Sequence, residues 1–192
     1  MNPIDSLFRA NFERSQAVKA ATLEALLPAM LQAADAMVAV YQAGGKAIFC
    51  GNGGSAADAQ HLAAEFVGRY LAERRPLPAL ALHANASSLT AIGNDYGYEH
   101  SFARPLEALA RPGDIVVGLT TSGNSANIVE AFRRARALGL TTIGMTGQGG
   151  GKLREHTDIL LDVPSRETPR IQECHILIGH CLCEAVEKAL FA

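Results

Sequence analysis

The chain has 192 residues, 48% of them hydrophobic and 19% charged, and its formal net charge at pH 7 is -2. This length and composition are typical of a single globular domain with one apolar core. The small net charge argues against a broad nucleic-acid-binding surface, so we expect no nucleic-acid partner. We interpret the densest basic group, Arg133, Arg134 and Arg136, as the solvated face of a helix.

The N-terminal stretch mixes acidic, basic and polar side chains before any apolar run begins, which is unlike a secretory signal peptide. No uninterrupted apolar run approaches the ~18 residues of a membrane-spanning helix. The sequence therefore predicts a cytoplasmic protein without a membrane partner. The four cysteines, Cys50, Cys174, Cys181 and Cys183, form no C-x-x-C pair. We interpret them as reduced thiols of the core rather than as disulfides or metal ligands.

Apolar residues recur every three or four positions between residues 4 and 43, which predicts helix. Pro28 lies inside this pattern, so we expect either two helices or one kinked helix. Gly44 and Gly45 end the pattern. The apolar stripe is wide, which points to an interface with another subunit; an ordinary pair of core-facing helices is the alternative.

Beyond residue 45 the pattern changes to short apolar runs that alternate with helical segments. The segment after the second run is polar, and the other runs lead into helices or turns. This alternation predicts one α/β domain over residues 1–192, with an N-terminal helical segment at 1–44 and an α/β core plus C-terminal helix at 45–192. The core is expected to be a five-stranded parallel sheet flanked by helices on both faces. The predicted strands are 46–50, 79–83, 114–120, 141–146 and 158–163, and the predicted helices of the core are about 54–69, 125–139 and 168–190.

The turn after the first predicted strand is rich in glycine. Gly51, Gly53 and Ala56 satisfy the pattern G-x-G-x-x-G/A, but a dinucleotide site also needs an acidic residue at the end of the second strand. That strand ends in His83, Ala84 and Asn85, so we disfavour a dinucleotide site. The glycine-rich stretch near residue 150 does not match a P-loop either.

This turn is able to hold a phosphate group. Glycines let backbone N–H groups approach an anion, the following helix contributes its N-terminus, and Ser55 adds a hydroxyl. The alternative is a tight turn in which Ser55 is a simple N-cap. A second turn of the same kind, residues 120–127, again follows a strand and opens a helix, and it carries four hydroxyl groups. Because ligands of open parallel sheets bind beyond the carboxyl ends of the strands, we expect both turns to bind one phosphomonoester.

Two helices carry residues that suit a metal or proton transfer. His61 and Glu65 are four residues apart, so they share one face of a helix; an exposed hydrogen-bonded pair and a ligand pair are both compatible with this spacing. In the last helix Gln172 and His180 are separated by a rise of ~12 Å and a rotation of ~80°. Helical spacing alone therefore does not bring Gln172 and His180 to one point. His175 falls on the apolar side of that helix and is expected in the core.

"GNGGS" at 51–55 and "TSGNS" at 121–125, together with "GNDYG" at 93–97 and "RIQECH" at 170–175, resemble the sugar isomerase domain family over essentially the whole chain. Within the family, the chain is most similar to the aldose–ketose isomerases that convert sedoheptulose 7-phosphate to D-glycero-D-manno-heptose 7-phosphate through an enediol. The resemblance implies a place at the first step of heptose synthesis for the lipopolysaccharide core. It also implies a homotetramer whose active sites draw on more than one subunit.

The resemblance further implies roles for particular residues. His61, Glu65, Gln172 and His180 match positions that bind Zn²⁺, and Glu65 and His180 also match the acid and base. The implied substrate-binding residues are Asn52, Gly53, Gly54, Ser55, Glu65, Asn94, Asp95, Thr120, Thr121, Ser122, Ser125 and Gln172. Arg69 is compatible with a substrate contact or a surface salt bridge. Pro169 stands where some members carry a polar residue, so no substrate contact is expected from it.

Two other functions are compatible with the family resemblance. One relative is a non-catalytic regulator that associates with the bacterial replication initiator, and it lacks the acidic residue and the histidine that match Glu65 and His180. Other relatives isomerise different phosphosugars, and they do not generally share the four implied zinc ligands. The presence of all four residues favours the heptose phosphate isomerase.

Overall fold

The computed structural model describes residues 2–191 and contains one five-stranded sheet in which all neighbouring strands are parallel. The strand order is β2-β1-β3-β4-β5, so the chain winds in opposite directions from β1 and β3. The predicted parallel α/β sheet is confirmed. Its strands are β1 (Ala47–Gly51), β2 (Ala79–Ala81), β3 (Ile115–Thr120), β4 (Thr141–Thr146) and β5 (Ile159–Asp162).

Helices cover both faces of the sheet. Alternate strand residues divide the core into two clusters: Phe49 and Val117 pack with α1, α2 and α6, whereas Ile48 and Val116 pack with α4 and α5. β1 and β3 are buried along their whole length, as expected for parallel strands covered on both sides. The helices are α1 (Pro3–Gln42), α2 (Gly54–Val67), α3 (Ala86–Tyr96), α4 (Ala103–Leu109), α5 (Ala126–Ala137) and α6 (Thr168–Phe191).

α1 is one continuous helix of 40 residues with Pro28 inside it, so of the two expected arrangements, two helices or one kinked helix, the structure has the single helix. Its buried residues on either side of Pro28, such as Leu26 and Met37, belong to the same core cluster as α6 and β5. α1 is also the one helix among the described residues that is long and apolar enough to cross a membrane, and 28% of its apolar 18-residue window is buried. Between residues 4 and 31 it leaves large apolar side chains exposed, namely Ile4, Leu7, Phe8, Phe12, Leu23, Leu27 and Leu31.

The segment after β2, which the sequence presented only as polar, contains α3, a short 3₁₀ turn at Tyr98–His100 and α4. Asn85 caps α3, because its side-chain oxygen accepts a hydrogen bond from the N–H of Ser88 at 3.0 Å. α3 has no buried residue, although Leu89 is partly buried against the core cluster of α4 and α5.

Cysteine and histidine burial follows the predictions with one exception. All four cysteines are free thiols, but Cys181 is exposed and only Cys50, Cys174 and Cys183 are in the core. Burial raises the pKa of the Cys50 thiol to about 12. His175 is fully buried, with its Nε2 3.1 Å from the carbonyl oxygen of Thr146, and burial lowers its pKa to about 4.

Candidate active site

The site lies where β1 and β3 end side by side, which is the point at which the winding of the sheet reverses. Parallel sheets of this strand order bind their ligands in the crevice at that point. The turn after β1 leads into α2, and the turn after β3 leads into α5. The two glycine- and hydroxyl-rich turns therefore share one edge of the sheet, as the sequence predicted.

The first turn exposes the N-terminus of α2. Gly53 has φ +56° and is the N-cap, with no side-chain capping bond, and this left-handed backbone favours glycine. A Cβ on Gly51 would lie 2.3 Å from the carbonyl oxygen of Ser55, so the backbone closes too tightly for any other residue. Ser55 is buried in the first helical turn and is not the N-cap, which contradicts the simple-cap alternative. The first N–H groups of α2 remain available to an anion.

The second turn gathers hydroxyl groups. Thr120 Oγ1 lies 3.0 Å from Ser125 Oγ and 3.5 Å from Ser122 Oγ. Ser125 is the residue before α5, and its side chain makes no capping bond. Gly123 has φ +65°, and a Cβ there would lie 2.1 Å from the backbone oxygen of Gly150. The glycine-rich turn after β4 therefore packs directly against this loop and fixes its shape.

Thr121 takes part in the second turn through its backbone. Its carbonyl oxygen accepts a hydrogen bond from the N–H of Gly147 at 3.0 Å. Asn124 donates from its side chain to the carbonyl oxygen of Ser122 at 2.8 Å and accepts from the N–H of Lys152 at 3.1 Å. These contacts fix the loop against the segment that follows β4 without using the hydroxyls of Thr120 and Ser125.

An imidazole–carboxylate cluster lies farther along α2 and α6. His61 Nε2 is 3.0 Å from His180 Nε2 and 3.3 Å from Glu65 Oε1, and the donor atoms of all three residues lie within 4.8 Å of one another. The two helices run alongside each other, because a Cβ on Gly179 would lie 2.6 Å from Leu62. The structure therefore brings together three of the four residues predicted to bind zinc.

The spacing of these donors fits a tetrahedral ion. Ligand atoms about 2.1 Å from zinc lie about 3.4 Å from one another, and the distances between His61 and its two neighbours are close to that value. Two imidazole nitrogens and a carboxylate oxygen are also the donors that Zn²⁺ accepts in catalytic sites. The donor set of this chain is therefore suited to zinc.

Gln172 lies apart from the cluster within one chain. A Cβ on Gly54 would be 2.9 Å from Gln172 Nε2, so the amide rests on the first residue of α2. Gly54 precedes His61 by seven residues, which is about 10 Å along a helix. Gln172 therefore lies at the phosphate turn, and it is separated from the other three predicted ligands.

Asn94 and Asp95 lie at the exposed C-terminal end of α3, where Asn94 Nδ2 donates to Asp95 Oδ1 at 2.8 Å. The 3₁₀ turn that follows reaches the first phosphate turn, since Tyr98 Oη donates to Asn52 Oδ1 at 2.9 Å. Asp95 also lines a cavity of about 540 Å³ between β2, α3 and α4. These residues border the site without touching the cluster.

A buried ion pair between Arg74 and Glu187, which the sequence analysis did not identify, stabilises the helices that carry the cluster. Glu187 is only 3% exposed and accepts hydrogen bonds from the N–H groups of residues 70–72 and from Arg74 Nε. Burial opposes ionisation, yet these donors lower the pKa of Glu187 to about 2. Arg74 also donates to the carbonyl oxygen of Glu65 at 2.9 Å, so one pair anchors α2 to α6.

The same anchored segment places an aromatic ring on the cluster. Tyr70 stacks on His180 with ring centroids 5.4 Å apart and 29° between the planes. Asp58 is half-buried on α2, and this burial raises the pKa of its carboxyl group, whereas the neighbouring His61 and His180 lower it. Arg69 lies outside these contacts and forms an exposed pair with Glu73 at 3.5 Å.

Comparison with known proteins identifies the class. A profile described as "SIS domain" matches residues 11–147, which is well over half of the chain and includes both turns and the α2 part of the cluster. The doubly wound sheet with paired phosphate-type turns is thus the fold of a SIS domain.

Individual relatives narrow the assignment. The chain is 52% identical over 193 residues to a phosphoheptose isomerase of Roseiflexus sp., covering 99% of this chain and 98% of that protein. It is 58% identical over 163 residues to a phosphoheptose isomerase of Rhodospirillum rubrum, covering 85% and 87% respectively. The solved phosphoheptose isomerase of Neisseria gonorrhoeae superposes with a TM-score of 0.92 at 43% identity, covering 96% of this chain and 99% of that chain. The chain therefore belongs to the SIS domain family and, within it, to the phosphoheptose isomerases.

Proposed function

We propose that this protein is an aldose–ketose isomerase that converts sedoheptulose 7-phosphate to D-glycero-D-manno-heptose 7-phosphate. The observation that carries the proposal is the cluster of His61, Glu65 and His180, which lies within one α2–α6 pair next to two phosphate-type turns. The high identity to proteins named phosphoheptose isomerase supports the same substrate. A non-catalytic role gives no reason for a carboxylate and two imidazoles to converge.

The reaction moves a proton between C1 and C2 of the sugar through an enediol, so it needs a base at carbon and an acid at oxygen. We assign these roles to Glu65 and His180. Both side chains flank His61, with Glu65 Oε1 at 3.3 Å and His180 Nε2 at 3.0 Å from its Nε2. Tyr70 restricts the His180 ring by stacking on it. This stacking would keep the His180 imidazole beside Glu65 for proton transfer.

The phosphate end of the substrate is assigned to the two turns. The backbone N–H groups at Gly53–Ser55 and the hydroxyls of Thr120, Ser122 and Ser125 would surround the phosphate oxygens, and an anion at two helix N-termini is favourable. His61 follows Ser55 by six residues, about 9 Å along the helix. That separation is comparable to the length of an extended seven-carbon sugar phosphate. Asn94, Asp95 and Gln172 are assigned to the sugar hydroxyls.

We propose Zn²⁺ as the cofactor, held by His61, Glu65 and His180. Bound zinc would act as a Lewis acid that polarises the substrate carbonyl. The family resemblance adds Gln172 to the ligands, and because Gln172 is distant from the cluster within one chain, we propose that a homotetramer completes the site. The exposed apolar side chains of α1, such as Phe8 and Phe12, would pack between its subunits.

We further propose that the protein is cytoplasmic and supplies the first intermediate of heptose synthesis for the lipopolysaccharide core. The α1 helix is assigned to subunit packing rather than to a membrane, because it contacts α6 and β5 and carries charged residues such as Arg9 and Glu13 on its surface. Light scattering tests the proposed assembly, and we expect the protein in solution to have the molecular mass of four chains.

Turnover of sedoheptulose 7-phosphate tests the proposed function directly. Purified protein should convert it to the aldose phosphate, detected by chromatography, and should lose that activity after treatment with a chelator and recover it on adding Zn²⁺. Pentose and hexose ketose phosphates serve as competing substrates, and we expect them to react at least tenfold more slowly. Equal rates on a shorter ketose phosphate would contradict the heptose assignment, and zinc-independent turnover would contradict the cofactor.

A further inference from the structure

A reciprocal pair of amides joins the two phosphate turns. Asn52, in the first turn, donates from Nδ2 to Asn127 Oδ1 at 2.9 Å, and Asn127, in the first turn of α5, donates from Nδ2 to Asn52 Oδ1 at 2.9 Å. Asn127 is only 2% exposed, and its second Nδ2 hydrogen is directed to Ser101 Oγ at 3.1 Å. Ser101 itself is fully buried. The spacing between the turns is therefore set by the half-buried Asn52 and the buried Asn127 and Ser101.

The hydrogen-bonding capacity of Asn52 is nearly used up by these contacts. A side-chain amide has two acceptor lone pairs and two donor hydrogens. Oδ1 of Asn52 accepts from Asn127 and from Tyr98 Oη at 2.9 Å, and Nδ2 uses one hydrogen on Asn127. One N–H remains for a ligand. Most hydrogen bonds of the Asn52 side chain therefore position Asn127 and Tyr98, and only one N–H is free to bind a substrate.

We propose that Asn127 is a positioning residue that, through Asn52, fixes the distance between the two turns around the substrate phosphate. The proposal rests on the proposed function and assigns a role to a residue outside the matched site positions. Asn127 does not touch the phosphate itself. Its removal is expected to let the turns separate, which weakens phosphate binding while the proton-transfer cluster on α2 and α6 stays intact.

The experiment compares N127A, N52A and the double variant N52A/N127A in the full-length protein. Three quantities are measured: the dissociation constant of inorganic phosphate by calorimetry, KM and kcat for sedoheptulose 7-phosphate, and the melting temperature. We expect each single variant to raise the phosphate dissociation constant and KM about tenfold, the scale of one or two lost buried hydrogen bonds. kcat should change by less than about threefold. The double variant should bind phosphate no more weakly than either single variant, since both remove the same pair.

T142A is the matched control. Thr142 is a fully buried hydrogen-bonding residue at the opposite end of the sheet, where its Oγ1 donates to Asp158 at 2.8 Å. This variant should lower the melting temperature and leave phosphate binding and KM unchanged. It separates a general loss of stability from a loss of loop positioning.

Two results would overturn the proposal. Unchanged phosphate binding and KM in folded N127A would show that the pair is only structural. A double variant whose losses multiply to about a hundredfold would show that each amide contacts the substrate independently. Because calorimetry with phosphate needs no turnover, inactive wild-type protein would refute the proposed function without deciding this proposal.

Y98F keeps the test decisive if N127A fails to fold. The Tyr98 side chain is exposed and bonds only to Asn52 among the described residues, so its hydroxyl is removable without disturbing the core. We expect Y98F to raise the phosphate dissociation constant about threefold in wild-type protein and to have no effect in N52A protein. An equal effect in both backgrounds would contradict action through Asn52.

Discussion

Replacing Glu65 by Gln tests the proton-transfer pair with the least change in shape. The side chain of Glu65 is 20% exposed and its Oε1 lies 3.3 Å from His61 Nε2. The amide keeps the size of the carboxyl group, so we expect little loss of stability. It has no ionisable proton, so E65Q cannot act as the acid or the base. General acid–base catalysis contributes ~10²–10⁴-fold, and we expect kcat to fall by at least about 100-fold, which is about 2.7 kcal/mol of barrier.

The assay measures kcat and KM for sedoheptulose 7-phosphate at saturating Zn²⁺, with the zinc content of each protein determined alongside. The comparison is made on kcat, because Glu65 is also a proposed zinc ligand and substrate contact, so its replacement is expected to raise KM as well. E73Q is the control: Glu73 is a carboxylate of the adjacent loop, 92% exposed and, within residues 2–191, paired only with Arg69, and its loss should leave both constants unchanged. The reasoning would be refuted by E65Q protein that carries zinc and retains more than a tenth of wild-type kcat.

Two further predictions concern the framework of the site. E187Q should lower the free energy of unfolding at pH 7 by about 3–5 kcal/mol, because it leaves the buried Arg74 charge unpaired. E184Q is the control: it breaks an exposed pair with Lys188 and should lower the free energy of unfolding by about 0.5 kcal/mol or less. Since the pKa of Glu187 is lowered to about 2, the stabilisation by this carboxylate is fully present above about pH 4.5 and is lost as the pH falls toward 2. The free energies of unfolding of wild type and E187Q, measured in urea, should therefore converge near pH 2. A difference that stays constant with pH would contradict the ion pair. G123A should lower the melting temperature and weaken phosphate binding, because its Cβ would strike a backbone oxygen at 2.1 Å. G139A, with φ +71° and open space around it, should lower stability but leave phosphate binding unchanged, and equal phosphate binding in the two variants would contradict the packed loop.

The sheet could be predicted from the sequence because its signals are local. Short apolar runs followed by helical periodicity define parallel strands whose two faces are covered, and the strands of the structure lie within the predicted ones except that β1 extends one residue further, to Gly51. α1 shows where such reasoning stops. Pro28 removes one backbone hydrogen bond, but residues on both sides of it pack into the same core, and this tertiary contact keeps the helix in one piece.

Other features needed the folded chain. The Asn85 cap of α3 was not recognised in the sequence, because the glycine and polar residues near Asn94 favour turns and obscure the short apolar pattern of that helix. The burial of Glu187 depends on Arg74 and on a loop more than a hundred residues earlier in the chain. The Asn52–Asn127 pair likewise joins distant turns. No spacing rule relates residues whose proximity is created only by the sheet.

The cluster itself was only half determined by spacing. His61 and Glu65 share a helix face by their separation of four residues, and the structure shows their contact. The approach of His180 depends on α6 packing beside α2, where Gly179 allows close contact with Leu62. That packing could not be derived from the sequence of either helix alone.

A crystal structure of the protein with sedoheptulose 7-phosphate tests the central claim most directly. We predict that the phosphate lies within hydrogen-bonding distance of the Gly54 and Ser55 N–H groups and the hydroxyls of Thr120 and Ser125, while C1 and C2 lie beside Glu65 and His180. A phosphate bound elsewhere, or a sugar whose C1–C2 end points away from Glu65 and His180, would contradict the account.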